Sequence, residues 1–425
     1  VRPSLLTDRY ELTMLAAALA DGTHRRDCVF EVFARRLPHG RRYGVVAGTG
    51  RLLEQLADFR FGDEEIAALR EQGLTDPALL DHLAAFEFTG DVDGYAEGEV
   101  FFPGSPVLTV RAPFGQAVLL ETLVLSVLNH DSAIASAAAR MVGAAGGRPC
   151  IEMGSRRTHE EAAVAAARAA FLVGFGSTSN LAAGERYGVP TAGTSAHAFT
   201  LLHDDEAAAF RAQVATQGTG TTLLVDTYDT LQGIRTAIEV AGPELGAVRL
   251  DSGDLAELAR QARELLDSLG AHRTRVTVTS DLDEYAIAAL AAAPVDGYGV
   301  GTSLVTGSGA PTAGMVYKLV ERDGVPVAKV AEGKRSVGGR KSAVRRHDAA
   351  GTATAEVVVP GPIAPRDGDR DLVVPLVRGG RCVQDLDAAG RLRAAREHHE
   401  RVRAALPAEA WALSRGEPAL DTLSA

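Results

Sequence analysis

Ala247-Val248-Arg249-Leu250-Asp251-Ser252-Gly253-Asp254 passes from a short strand-like run into a polar turn, and a helical pattern begins at Leu255. The same rhythm recurs on both sides of it. Strand-like runs fall at residues 150–153, 191–194, 222–225, 247–250, 276–279 and 297–300, with helical runs such as 160–173 and 255–269 between them. About six β/α units of this kind imply parallel strands joined by right-handed crossovers. The units share no detectable repeat, which excludes a solenoid, and their short loops favour an irregular (β/α) TIM-like barrel over an open sheet.

Upstream of these units the pattern is mixed. Leu12, Leu15, Ala16 and Leu19 follow helical spacing and Asp8 with Glu11 reads as a capping box, which predicts a helix over 8–20. Residues 28–34 alternate like a strand, 43–47 are a short apolar run, and 86–111 are rich in Val, Phe and Gly. After Gly307 the β/α alternation stops. Runs at 316–320 and 325–330 around Arg322-Asp323-Gly324 predict a hairpin, 349–368 reads largely as loop, and 387–406 reads as a surface helix. The expected α/β architecture is thus an N-terminal α+β domain (1–115), the catalytic barrel (116–310), and a strand-rich C-terminal segment (311–425) packing back on the N-terminal one.

The chain has 425 residues, 46% hydrophobic and 23% charged, which is the composition of a folded globular protein. Forty-four basic against fifty-five acidic residues give a net charge of -11, which argues against nonspecific binding to a nucleic-acid backbone. Cys28, Cys150 and Cys382 are odd in number and form no CxxC pair, so neither a disulfide framework nor a structural zinc site is expected, and a reducing, cytoplasmic setting is. The apolar stretch 117–128 is broken by Glu121 and Ser126 and falls short of the ~18–20 residues that span a bilayer, so no membrane segment is expected. No signal-peptide-like run opens the chain, and a few residues are expected before Val1.

Ligands of parallel α/β folds sit at the carboxyl ends of the strands. The residues following the runs here are Gly154-Ser155-Arg156-Arg157, Ser195-Ala196-His197, Asp226, Asp251 to Asp254, Ser280-Asp281 and Gly299-Val300-Gly301-Thr302. Arg156 and Arg157 precede Thr158-His159-Glu160-Glu161, a capping box, so two guanidiniums and a helix N-terminus make a carboxylate or phosphate site; a surface pair before a helix is the plain alternative. Arg249 with the turn after it suits a sugar diphosphate. Asp251 and Asp254 can hold Mg²⁺ or ribose hydroxyls, or one of them is only an N-cap. Gly299 to Thr302 can cradle a phosphate or be a simple turn, and His197 can serve as a base or as a nucleophile toward a phosphoryl group. Lys329, Lys334, Arg335, Arg340, Lys341, Arg345 and Arg346 form a basic stretch, read either as a solvated face or as side chains reaching a diphosphate, including one in a neighbouring subunit.

Seven ordered motifs carry a resemblance over nearly the whole chain: Leu6-Thr7-Asp8-Arg9-Tyr10-Glu11-Leu12-Thr13-Met14, Phe33-Ala34-Arg35-Arg36-Leu37-Pro38, Gly154-Ser155-Arg156-Arg157, Gly193-Thr194-Ser195-Ala196-His197, Val225-Asp226-Thr227-Tyr228, Arg249 to Asp254, and Gly299-Val300-Gly301-Thr302. The chain resembles the nicotinate phosphoribosyltransferases, which are type II phosphoribosyltransferases. The resemblance implies that nicotinate and phosphoribosyl pyrophosphate give nicotinate mononucleotide and pyrophosphate, with ATP hydrolysis coupled through a phosphorylated His197 and with Mg²⁺ as cofactor. It implies a homodimer in which Asp8 and Tyr10 of one subunit complete the other's site, Tyr10 stacking on the pyridine ring. By the same resemblance Arg156 meets the nicotinate carboxylate, Arg249 and Asp251 lie near the ring and ribose, and Gly301 and Thr302 take the 5-phosphate. Ser155, Met153, Thr194 and Asp226 are further implied substrate contacts, as are Ser252, Ser280, Asp281 and Lys329; Asp226 and Asp251 are implied for the metal. Met153 stands where the family often has an aromatic residue, and Ser177-Thr178-Ser179-Asn180 lacks the carboxylate of nicotinamide-using relatives, which favours the acid over the amide.

Nicotinamide or quinolinate phosphoribosyl transfer is the rival within the class. A barrel isomerase or aldolase would want a lysine or glutamate among the strand-end groups, and these contain neither. A non-enzymatic regulatory protein on a degenerate enzyme fold is disfavoured by intact Arg156, His197, Asp226, Arg249 and Asp251.

Overall fold

Six strands form one parallel sheet in the order Ser177–Thr178, Cys150–Glu152, Gly297–Val300, Arg275–Val278, Ala247–Leu250, Thr222–Leu224. In the computed structural model, which describes residues 2–329 and 337–424, they belong to a unit spanning Ala137–Gly309. The strands are short and apolar because both faces of the sheet are covered: Val248, Leu250, Val276, Val278, Tyr298 and Val300 are wholly buried. The first strand of the unit pairs with the last, Ile151 opposite Gly299, as in a barrel. The ring of strands stays open, because among the described residues no rung joins Ser177–Thr178 to Thr222–Leu224.

The strand expected over 191–194 is missing at this gap. Thr191 makes a single parallel bridge with Thr178, the Ala192 N–H donates to the Thr178 carbonyl at 2.9 Å, and the chain then leaves the sheet. The edge position is filled by Ser177–Thr178, two polar residues that an apolar pattern does not reveal. Aspartates open helices of this unit: Asp205, Asp229, Asp254 and Asp283 accept first-turn backbone N–H groups at 2.6, 2.8, 3.2 and 2.8 Å. Asp254 is therefore a cap. Neither expected capping box forms; Asp8 and His159 are the N-caps of Arg9–Asp21 and Glu160–Leu172 without side-chain caps, and Glu11 instead accepts the Thr122 N–H at 2.9 Å.

The second unit combines Val1–Ser136 with Ala310–Ala425. Its larger sheet runs Val325–Pro326, Met315–Arg322, Asp27–Ala34, Leu108–Pro113, Asp91–Tyr95, Val373–Arg378, Arg381–Cys382, so the two ends of the chain build one α+β domain. Phe30 from the first end stacks on Tyr317 from the second with 4.7 Å between ring centroids. The division falls at 136/137, inside the helix Glu121–Ala145, rather than at 115/116. The expected hairpin forms on Asp323 and Gly324, both at positive φ as its tight turn requires, but its second strand is only Val325–Pro326.

Residues 349–368 are largely loop but contain a strand that the loop reading omits: Ala353–Pro360 pairs with Lys341–His347, driven by the Val357-Val358-Val359 run that the surrounding Ala, Gly and Pro obscure. The helix expected on the surface, Ala388–Ala404, is half sunk through Leu392, Ala395, His399 and Val402. Much of the basic stretch is consumed internally. Arg340 pairs with Asp93 at 3.0 Å, Lys341 with Glu31 at 2.7 Å, Arg345 with Glu356 at 2.7 Å and Arg346 with Asp369 at 3.6 Å. Lys334 and Arg335 lie outside the described residues. The expectation about membrane spans also needs correction: Phe114–Ala145 is continuous helix, long and apolar enough by length and composition to cross a bilayer. Its apolar window is 67% buried inside the protein, and its polar residues are paired there, Ser136 Oγ accepting the Val45 N–H at 2.9 Å and Asp131 meeting Arg51 at 2.9 Å.

His399 makes stability in this unit depend on pH. Its Nδ1–H donates to the Gly98 carbonyl at 2.8 Å while Nε2 is buried without a partner, and burial lowers its pKa from 6.5 to about 4. Between those values the unfolded chain binds more protons than the folded one, so stability falls as pH drops from 6.5 to 4, by up to about 3 kcal/mol. Glu99 prolongs the loss: burial alone would raise its carboxyl, but His398, Arg370 and Arg345 outweigh burial and hold it at about 2, so its contribution disappears between 4.5 and 2. Urea midpoints are expected to fall from pH 7 to pH 4, and to fall less in His399→Gln; a native midpoint that stays level over that range rules the account out.

Candidate active site

A cleft of about 440 Å³ opens over the carboxyl ends of the parallel strands. Met153, Arg156 and Arg157 line it from the first strand, Thr194 from the irregular segment at the gap, and Arg249 and Asp251 from Ala247–Leu250 and its turn. Ser280, Asp281, Gly301 and Thr302 complete the wall. The gap in the sheet thus gives the cleft one side made of loop, the Ala192 to Ala196 segment.

Arg249 fastens that loop side. Its Nη1 donates to the Thr194 hydroxyl and to the Ser195 carbonyl, the latter at 3.3 Å, while Nη2 stands 3.7 Å from Asp251 Oδ2. Burial pulls the Arg249 pKa down, opposed by the Asp251 and Asp226 carboxylates, and its Nε is buried without a partner. Asp251 is itself held through Oδ1, which accepts from the Thr279 hydroxyl, and through its N–H, which donates to Asp226 Oδ2 at 2.8 Å. Ser252 Oγ donates to the same oxygen at 2.9 Å.

His197 begins the helix His197–Leu201. Its Nδ1 is 3.1 Å from the Thr227 hydroxyl, and its Nε2 is 3.9 Å from Asp226 Oδ1 and 3.8 Å from Asp251 Oδ2. Asp226 Oδ1 is buried without a hydrogen-bond partner. Glu206, on the next helix, also has an unpartnered buried oxygen, and burial, followed by the Asp226 and Asp229 charges, raises its pKa to about 7. The sequence did not point to Glu206, which lies in a polar run with no strand before it. Thr279 was equally unforeseen as a lining group, although it ends an expected strand, whereas Ser179 belongs to the segment 177–180 whose lack of a carboxylate the sequence reading used.

Three predicted contacts of this unit stand back from the cleft: Asp226, Ser252, whose Oγ donates to Asp226, and Ser155, whose Oγ accepts from Asn180 Nδ2 at 3.1 Å; His197 is likewise not among the lining residues. Asp8, Tyr10 and Lys329 belong to the other unit, where Tyr10 is 45% exposed at the start of its helix and Lys329 is exposed. Among the described residues no group of three or more His, Cys, Asp or Glu forms a ready metal site.

Residues 5–129 match the family model for the nicotinate phosphoribosyltransferase (NAPRTase) N-terminal domain. The chain is 63% identical to nicotinate phosphoribosyltransferase pncB1 of Mycobacterium tuberculosis, over 98% of this chain and 94% of that one. It is 40% identical to the nicotinate phosphoribosyltransferase of Bacillus subtilis, over 80% and 73% of the two chains. Among solved structures, human nicotinic acid phosphoribosyltransferase aligns with a TM-score of 0.85 at 25% identity, covering 99% of this chain and 97% of that one.

Proposed function

Because this chain belongs to the nicotinate phosphoribosyltransferase family, we propose that the cleft over the strand ends is where it joins nicotinate to phosphoribosyl pyrophosphate. The observation carrying the reading is one cleft lined by three guanidiniums, Arg156, Arg157 and Arg249, and by Asp251, with the His197 imidazole behind it, its Nε2 3.8 Å from Asp251 and 3.9 Å from Asp226. The bond from ribose C1 to the diphosphate breaks as the pyridine nitrogen attacks, through an oxocarbenium-like state, so the protein supplies orientation and charge rather than a nucleophile. Arg156 faces the nicotinate carboxylate, Arg249 orients the ring, Asp251 the ribose, and the backbone at Gly301 and Thr302 receives the 5-phosphate. Ser179 at the cleft wall bears no charge to repel the nicotinate carboxylate.

Mg²⁺ suits the donors present: an unpartnered Asp226 oxygen and a partly exposed Asp251, with phosphate and water as its remaining ligands. Held there with the diphosphate, such a cation would supply charge to screen the leaving group. Thr227 occupies His197 Nδ1, which leaves Nε2 to take the γ-phosphoryl of ATP as ADP departs, and the added charge would order the diphosphate before the phosphohistidine is hydrolysed. The exposed Tyr10 ring suits stacking on the pyridine in a second subunit's cleft, opposite Met153, in a homodimer.

Pyrophosphate release tests the reading. Nicotinate, and neither nicotinamide nor quinolinate, is expected to support turnover, and ATP is expected to stimulate the native protein at least about tenfold, the worth of one charge-assisted hydrogen bond. His197→Ala is expected to lose that stimulation. Equal stimulation in the variant removes His197 from the coupling, and no release with any pyridine acid removes the reading itself.

A further inference from the structure

The loop carrying Arg156 is held by groups that do not line the cleft. Glu152, wholly buried at the end of Cys150–Glu152, accepts the Gly154 N–H on one carboxylate oxygen and the Thr178 hydroxyl on the other. The Thr178 oxygen accepts in turn from the Asn180 N–H at 3.0 Å. Asn180 Oδ1 accepts the Ala183 N–H at 2.9 Å, capping Leu181–Tyr187. A backbone N–H can only donate, so this bond fixes which way the amide points and turns Nδ2 toward Ser155, whose Oγ it reaches at 3.1 Å. Ser155 stands between Gly154 and Arg156, so the circuit is closed. It has little room to slide: a Cβ on Gly154 would lie 2.2 Å from Val305 Cγ1 and 3.0 Å from Glu152 Oε1.

We infer that Asn180 is a positioning residue for recognition of the pyridine carboxylate, setting the place of the Arg156 guanidinium through Ser155 without touching substrate. Its neighbour Ser179 lines the cleft and Asn180 does not. The inference rests on the assignment of Arg156 to the nicotinate carboxylate. An arginine displaced by a fraction of an ångström loses paired contact with a carboxylate, while contacts to the phosphoribosyl end, which come from other strands, are unaffected.

The test uses steady-state kinetics of the whole chain with both substrates varied. Asn180→Ser keeps an N-cap oxygen but is too short to reach Ser155, so capping and positioning separate. It is expected to raise KM for nicotinate about tenfold, with KM for phosphoribosyl pyrophosphate within about twofold and the melting temperature unchanged. Ser155→Ala should raise the nicotinate KM similarly, and the double variant should be no worse than either single one, because both break the same bond. Equal rises in both KM values, or additive effects in the double variant, overturn the inference and leave Asn180 a cap. Arg156→Ala tells the two failures apart. If it raises the nicotinate KM and Asn180→Ser does not, the inference falls and the assignment of Arg156 stands; if neither moves it, the assignment has failed and the inference goes with it.

Discussion

Arg249→Ala is expected to lower kcat/KM for nicotinate by about a thousandfold, with little change in the melting temperature. The arginine does two things at once. It presents a cation to the cleft, and through Thr194 and Ser195 it pins the loop side of the cleft, the Ala192 to Ala196 segment. Removing it takes away charge and lets that wall move, so kcat and KM should both suffer. Arg249→Lys should rescue little, because one ammonium cannot span Thr194, Ser195 and Asp251 as the planar fork does. Activity of the alanine variant within tenfold of native would show that Arg249 is only a structural strut.

Arg345→Met is expected to cost the first-and-last-segment unit about 3–5 kcal/mol, read as a lower urea midpoint. Arg345 and Glu356 form an ion pair at 2.7 Å with side chains 1% and 0% exposed, and the carboxylate also accepts from the Tyr95 hydroxyl at 2.9 Å and from Ser105. Without the arginine, a buried carboxylate loses its countercharge. Arg345 itself is incompletely satisfied, with Nε and Nη1 unpartnered, so the pair as a whole adds little net stability. The double variant Arg345→Met/Glu356→Leu should therefore recover much of the single variant's loss. A double variant as unstable as the sum of the singles would contradict this.

The parallel sheet was legible wherever apolar runs met polar turns, as at 247–250 and 297–300, since burial on both faces writes hydrophobicity directly into the chain. It was illegible at Ser177–Thr178, whose two polar residues hold an edge with a few hydrogen bonds, and at 191–194, where strand-like composition yields one rung because the partner strand ends after Thr178. Similarly, position at a strand end pointed to Arg156, Arg249 and Asp251, which the structure brings to one cleft, and to His197, whose Nε2 is 3.8 Å from Asp251. It could not decide between Asp251 and Asp254, because an aspartate that faces a ligand and one that caps a helix look alike until the turn between them is folded. Glu206 gave no signal for a related reason: the carboxylates that act on it, Asp226 and Asp229, are distant in sequence, and the reach of Asn180 to Ser155, 25 residues back, is equally visible only in the fold.

The pairing of Cys150–Glu152 with Gly297–Val300 has a consequence for biosynthesis. As the chain leaves the ribosome, the early strand must wait for nearly 150 residues before its neighbour exists, a lag of roughly ten seconds or more at ordinary elongation rates. Asp27–Ala34 waits longer still for Met315–Arg322. Nascent chains halted before Gly297 therefore carry open strand edges on Cys150–Glu152, Asp27–Ala34 and Asp91–Tyr95, the last of which waits for Val373–Arg378, and such truncated products are natural clients for chaperones and proteases.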